Sequence, residues 1–290
     1  MRYAFIEQHR EEFQVSPMCE LLNVSRSGYY GWRQRPISQR EMANQQLLEK
    51  IQAAYAASEG RYGSPRIYEE VKETTPCSLN RVARLMQRHG IRAKQTRRYK
   101  VTTQRNGKHD PVPNHLQQDF TASRPAEKWC SDLTYIWTAA GWLYLVVVID
   151  LYSRRIVGWA MNARMTTQLV KDAFHMAWRQ CQPAASLTFH SDQGSQYTST
   201  EFQRLLQRYG VQSSMSGTGN CYDNAVVESF FGTLKMELIY HATYRTREEA
   251  MTDIFFYIEG FYNRQRRHST LGYLSPLAFE ANYYQKVMAE

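Results

Sequence analysis

The sequence predicts an α/β domain, five strands flanked by helices, preceded in the chain by all-α units of helix-turn-helix type. Three observations predict it. Apolar residues recur at helical spacing as far as about residue 90 and in strand-like runs from about residue 125 onward. Charge divides at nearly the same place: residues 1–120 carry 20 Lys and Arg against 12 Asp and Glu, whereas residues 121–290 carry 16 against 15. The later runs follow the order βββαβαβα, and the turns between the first three strands are short, as an antiparallel meander requires. At 290 residues, 43% of them hydrophobic, the chain can bury a sizeable core and more than one domain.

The net charge of +9 therefore sits almost wholly in the first part, and eight basic residues without one acid lie between Arg81 and Lys100. A basic lobe joined to a near-neutral one points to a polyanion-binding module attached to something else. No apolar run approaches the ~20 residues of a membrane span, and the N-terminus has no signal-peptide pattern. The five cysteines are scattered and odd in number, which argues against a disulfide framework and for a reducing cytoplasm.

Residues 1–40 read as the first helical unit. Pro17 to Leu22 has helical apolar spacing, Asn23-Val24-Ser25 breaks it, and a second helix carries Arg26 and Arg33 among Tyr29, Tyr30 and Trp32. Ser25 or Ser27 can cap that second helix. Residues 41–100 read as a second helical unit. A linking helix over 41–58 presents Leu47, Leu48, Ile51, Ala54 and Tyr55, and Pro65 suits the first turn of the next helix. From Ser78 to Gly90 runs an amphipathic helix with Leu79, Val82, Leu85 and Met86 on its inner face. Arg81, Arg84 and Arg88 step along another face at i, i+3, i+7, placed for phosphate or base-edge contact. Residues 101–124 are polar, carry Gly107, Pro111 and Pro113, and read as a basic linker.

The α/β domain then occupies 125–290. Strands are expected over 129–137, 142–150, 155–161, 187–190 and 211–214. Helices are expected over 166–180, 199–209, 223–240 and 246–262. Its chemistry is legible in three acids. His190-Ser191-Asp192-Gln193-Gly194-Ser195-Gln196-Tyr197 puts Asp192 at the exit of a strand, facing a glycine turn. Asp132 lies within an aromatic-rich strand, and Glu228 lies early in a helix that Asp223 is placed to cap; 35 residues separate Asp192 from Glu228. An acid at the end of a buried strand is a poor choice for packing and a good one for holding a hard cation. Asp150 also ends a strand, but Tyr152-Ser153-Arg154 follows as an ordinary turn, so it reads as structural. Lys235 lies seven positions after Glu228, about 20° off the same helix face. Glu237, nine positions on, points about 180° away.

This pattern resembles the DDE triad of retroviral-type integrases and insertion-sequence transposases. The words around it narrow the likeness. The His190 to Tyr197 segment, Tyr222-Asp223-Asn224-Ala225 before Glu228, Lys235 after it, and Tyr262-Asn263-Arg264-Gln265-Arg266-Arg267-His268 resemble transposases of the insertion sequence three family over nearly the whole chain. The resemblance implies a ribonuclease H-like fold with a mixed five-stranded sheet, and Asp132, Asp192 and Glu228 as catalytic ligands of two Mg²⁺, for which Mn²⁺ can substitute. It implies 3′-end cleavage and strand transfer of an insertion sequence through a joined-end or circular intermediate. The expected partners are double-stranded DNA, as terminal inverted repeats and as target, and a second copy of the chain or a higher oligomer. A fusion with an upstream-frame product belongs to the same expectation, as does action on the bacterial nucleoid without any membrane.

Lys235 beside the metals would meet DNA phosphate, as would the late cluster Arg264, Arg266 and Arg267. Asn224 and Tyr222 lie in a Gly-rich loop with Gly217 and Gly219 and would support the site. His190 either orients substrate or fills its strand, and the residues leave both open. Two rivals stand beside the transposase: a plain metal-dependent nuclease of the same fold, which would cut without joining, and an inactive DNA-binding regulator of transposition. The intact acids and Lys235 argue against the regulator.

Overall fold

A computed structural model of the chain describes residues 1–36, 38–94, 112–183, 186–217 and 221–289, with nothing described of the side chains of Cys221 and Tyr222. Residues 101–111 of the linker expected over 101–124, the last residues of the second helical unit, and the Tyr222 side chain thus lie outside the described residues. Two compact units account for the rest. One comprises Met1–Glu59 and Ile67–Arg92, and the other Gly60–Arg66 and Ala93–Glu290.

The first unit is helical: α1 Arg2–His9, α2 Val15–Leu21, α3 Arg26–Gln34, α4 Gln39–Ala57, the later part of α5 Ser64–Val71, and α6 Leu79–Arg88. The turn between α2 and α3 is made by Asn23 in the left-handed region, φ 52°, which asparagine tolerates better than most residues. Ser25 then caps α3, its Oγ accepting from the Gly28 amide at 3.0 Å. Ile6, Met18, Cys19 and Tyr29 close a small core, and the Tyr29 hydroxyl donates to Glu7. Ser78 caps α6 through the Arg81 amide, and Val82, Leu85 and Met86 are buried on its inner face. Leu79, expected on that face, is instead 40% exposed. It occupies the first helical position, where the chain is still turning in from the cap.

The second unit is built on five strands: β1 Lys128–Thr138, β2 Gly141–Asp150, β3 Ile156–Asn162, β4 Thr188–Ser191 and β5 Gln212–Met215. Their order is β3-β2-β1-β4-β5. β1, β2 and β3 form an antiparallel meander, while β1–β4 and β4–β5 are parallel. The sheet is therefore mixed, as expected. Crossovers through helices make the parallel half: α7 Thr167–Cys181 leads to β4, and the short α8 Ser195–Thr198 with α9 Thr200–Arg208 leads to β5. Phe174 of α7, Phe189 of β4 and Phe202 of α9 interlock edge to face beneath Trp129. α7 lies so close to β3 that a Cβ at Gly158 would sit 2.2 Å from the Ala173 carbonyl and 2.8 Å from the Ala177 Cβ. Gly158→Ala should accordingly cost about 1–3 kcal/mol through overpacking, read as a lower thermal midpoint.

After β5 come a 3-10 turn, Cys221–Asn224, then α10 Ala225–Glu237, α11 Arg247–Phe255 and α12 Pro276–Ala289. The helix expected over 246–262 begins with a Thr246–Glu249 capping box but passes from α11 into a π-helical turn over Phe256–Tyr262. Asp223 does not cap α10. The N-cap is Asn224, with no side-chain cap bond, and Asp223 is buried, its Oδ2 accepting from Asn114 Nδ2 and the Gly217 amide, each at 2.9 Å. Asn114, from a distant segment, and the nearby Gly217 amide thus hold a carboxylate that local geometry offered to the helix. Among the described residues no helix is long and apolar enough to cross a membrane.

Candidate active site

Strand register places the first two acids. Ser131 and Ser191 are the last paired residues of the parallel β1–β4 ladder, so Asp132 and Asp192 stand one step beyond, on neighbouring strands. Asp192 is 8% exposed, and its Oδ1 accepts from the Gly194 amide at 2.8 Å. Gly194 permits that close turn, because a Cβ there would crowd the same oxygen at 2.9 Å. Asp132 is half-buried, and its Oδ1 accepts from the Leu133 amide at 2.7 Å. Beneath the pair, the buried Tyr197 hydroxyl bonds Ser131 Oγ at 2.8 Å, and burial foremost, then the Asp132 charge, keeps that phenol protonated.

Glu228 is exposed in the first turn of α10, which packs on β1. Lys235, two turns along, is half-buried with its Nζ 5.6 Å from the centre of the Tyr135 ring. Burial lowers its pKa, and the Asp132 charge opposes that shift. The helix therefore brings a cation to the first acid. Among the described residues, no three His, Cys, Asp and Glu side chains are gathered closely enough to hold a metal ion by themselves. The donor set nonetheless fits a hard divalent cation. It consists of carboxylate oxygens, two of them on adjacent strands, and it includes neither thiolate nor imidazole.

His190 is fully buried. Its Nδ1 meets Ser214 Oγ at 2.9 Å and its Nε2 meets Ser216 Oγ at 3.3 Å. Burial pushes it down to about 4, so the ring is neutral near pH 7, with the Asp223 charge pulling the other way. It fills and braces the β4–β5 seam behind Asp192. Gln193 Nε2 donates to the Ser216 carbonyl at 2.9 Å and closes the same seam. Asn224 is buried, and among the described residues its Oδ1 has no hydrogen-bond partner. Ser214, Ser216, Gln193 and Asn114 escaped the sequence reading, since each is an ordinary polar residue until separate segments meet.

The basic residues divide. Arg26, Arg84 and Arg264 are exposed. Arg33 is exposed and lies 3.4 Å from Glu7, and exposed Arg88 lies 3.8 Å from Glu41. Arg81 is half-buried and donates from Nε to Asn44 Oδ1 at 3.0 Å, so part of its role is to join α6 to α4. Arg267 is half-buried, its Nη1 donating to the Tyr273 carbonyl at 3.3 Å. Arg266, expected on the DNA-facing surface, is not there. It is 5% exposed and pairs with Glu237, its Nη2 lying 2.7 Å from Oε1. The reason is that Glu237, on the far face of α10, would otherwise be a buried charge without a counter-ion.

Comparison with known proteins adds three family matches. A model described as an integrase core domain matches residues 122–221, a second of the same description matches 209–276, and an HTH-like domain matches 42–99. The chain is 45% identical over 284 residues to the transposase InsF for insertion sequence IS3A of Escherichia coli strain K12, covering 97% of this chain and 98% of that one. It is 44% identical over 269 residues to a 31 kDa protein of insertion element IS600 from Shigella sonnei, covering 92% and 99%. Among solved structures, it resembles a chain of the simian T-cell lymphotropic virus intasome in complex with PP2A regulatory subunit B56 gamma, with a TM-score of 0.48 and 16% identity over 78% of this chain and 73% of that one.

Proposed function

This chain belongs to the transposase family of insertion sequence IS3, phosphoryl-transfer enzymes of the DDE type with an integrase core, and on that premise we propose that it cuts and joins the ends of such an element. The observation that carries the reading is the placement of Asp132 and Asp192 one step past Ser131 and Ser191, the last pair of the β1–β4 ladder, with α10, which carries Glu228 and Lys235, packed on β1.

In the cleavage step water forms a new P–O bond at the element's end, the P–O3′ bond breaks, and a free 3′-OH is left. In the transfer step that 3′-OH attacks a phosphodiester, and another 3′ oxygen departs. The attack falls first on the opposite end of the same element, giving a joined or circular intermediate, and later on a target. Asp132, Asp192 and Glu228 would hold two divalent cations, Mg²⁺ or Mn²⁺ in its place, and these supply charge stabilisation for the attacking and leaving oxygens. The Gly194 amide holds the Asp192 carboxylate in one orientation. Lys235 holds a phosphate beside Asp132. Neutral His190 keeps the β4 exit rigid without adding charge.

The helical units, proposed as 1–40 and 41–100 and joined to the catalytic domain 125–290 by the linker 101–124, recognise the terminal inverted repeats. Two copies at least hold the two ends, on DNA of the bacterial nucleoid in the cytoplasm, with an upstream-frame product as a further partner. The test is strand transfer by the purified chain on labelled DNA carrying both ends, with Mg²⁺ and a Glu228→Gln control. Joined product that disappears in the control is the expected result. Cut but unjoined DNA would favour a nuclease, and binding without chemistry a regulator.

Arg84 and Arg88 are exposed on α6 and are the phosphate contacts expected of that helix. Replacing both with Ala should weaken binding at every DNA sequence alike and reduce the slope of log affinity against log salt by about 1 for each phosphate lost. A titration in increasing KCl reads it, and an unchanged slope would remove α6 from the interface.

A further inference from the structure

The free end of the β1–β2 hairpin carries an aromatic cluster that the cleavage chemistry does not use. Tyr135 is 57% exposed, Trp137 61% and Trp142 43%. Trp142 stands edge-on between the other two, 5.0 Å from Tyr135 at 84° and 4.8 Å from Trp137 at 72°. Cross-strand pairing fixes this arrangement, because Trp137 is directly opposite Trp142 and Tyr135 opposite Tyr144. The same face of β1 is well covered nearer its start, where Trp129 and Leu133 join the main core. The core stops there, and the last aromatics continue into solvent. Single exposed aromatics are ordinary, but a contiguous group held in place by its own packing marks a binding surface.

The flanks identify the ligand. Lys235 lies over the Tyr135 ring, its Nζ 5.6 Å from the ring centre, so the cluster reaches the helix that also carries Glu228. Arg247 borders the other side, its Nε donating to the Trp142 carbonyl at 2.9 Å. Tyr135 follows Asp132 by three residues, about 10 Å along the strand and on the other side of the pleat, so Lys235 of α10 is the link between the cluster and the site. Rings with open faces, bordered by cations and set beside a phosphoryl-transfer site, suit an unpaired base whose own phosphates lie on the cations.

We propose that Tyr135, Trp137 and Trp142 form a stacking platform for an unpaired base of the DNA strand being cut or joined. The proposal rests on the DNA-transfer reading above and names where that site holds a base released from its partner. Double-stranded DNA offers no free base face to such a platform, so the platform discriminates frayed or overhanging ends from fully paired ones.

The test uses the full chain and two probes that share one terminal sequence. One is fully paired, and the other carries a short 3′ overhang containing 2-aminopurine, whose fluorescence falls on stacking. The wild-type chain should bind the overhang more tightly and quench it. Trp137→Ala and Tyr135→Ala should each lower overhang affinity about tenfold and abolish quenching, with Trp137→Phe largely restoring both. Affinity for the paired probe should stay unchanged, and this also reports that the variants fold. Equal affinity of the wild type for the two probes, or unaltered quenching in the variants, would overturn the platform while leaving the transposase reading intact. Failure of the wild type to bind either probe would instead overturn the DNA reading and the platform with it. Should the variants change the sedimentation of the free chain but not its overhang preference, the cluster is a contact between copies and the proposal is wrong.

Discussion

Asp192→Asn is expected to lower strand transfer by on the order of 10³-fold or more while leaving affinity for end-bearing DNA unchanged. The magnitude follows from the loss of a charged cation ligand, since bound cations supply several kcal/mol at the transferring phosphate and each 1.36 kcal/mol is tenfold in rate. The change is nearly isosteric at an 8% exposed position. An asparagine oxygen can still accept from the Gly194 amide, so the turn that begins α8 survives. The change removes the charge and turns one acceptor oxygen into a donor. Filter binding or fluorescence anisotropy on end DNA, beside a gel of joined products, separates the two readouts. If binding falls along with transfer, the division of labour between helical units and carboxylates is wrong.

Arg266→Ala should destabilise the second unit by about 3–5 kcal/mol, seen as a fall of roughly 10 °C in its thermal midpoint. Arg266 grips Glu237 in a two-point contact, Nη2 to Oε1 at 2.7 Å and Nε to Oε2 at 3.0 Å. Tyr257 adds its hydroxyl to Oε2 at 2.7 Å. Both charged residues are 5% exposed. Removing the arginine therefore strands a carboxylate at the end of α10, the helix that also carries Glu228 and Lys235. The companion experiment replaces both partners with apolar residues of similar volume. This double change should recover most of the loss, because the penalty comes from the unpaired charge rather than from the missing attraction. A single variant as stable as the wild type would show that Glu237 is solvated in solution.

The neighbouring contacts show why the last basic cluster is only partly a surface. Tyr62 donates to the Gln265 carbonyl at 3.2 Å and accepts from the Arg267 amide at 3.0 Å, while Arg66 Nε donates to the Arg267 carbonyl at 2.8 Å. The short segment Gly60–Arg66 thus belongs to the catalytic unit, although its neighbours in the chain belong to the helical one. Arg264 keeps an exposed side chain and donates from Nε to the Glu259 carbonyl at 3.1 Å.

What the sequence determined by itself was local or periodic. The alternation and apolar runs located all five strands to within a residue or two, and Ser25, one of two candidate caps for α3, is the one that caps it. Asp150 could be read as a turn residue, and it holds the Ser153 amide and the Ala126 amide. The three acids were proposed from residue type and spacing, because hard-cation chemistry limits which side chains can serve. Tertiary structure alone decided what depends on distant partners. Sequence spacing could not say that Asp132 and Asp192 would lie at matched positions on parallel neighbours, which the order β1-β4 brings about. Nor could it say that Asp223 would serve Asn114 and Gly217 instead of α10. Arg266 reads as one more surface cation until Glu237, on another helix, is set against it. A buried charge takes its role from the group that neutralises it, and that group is chosen by the fold.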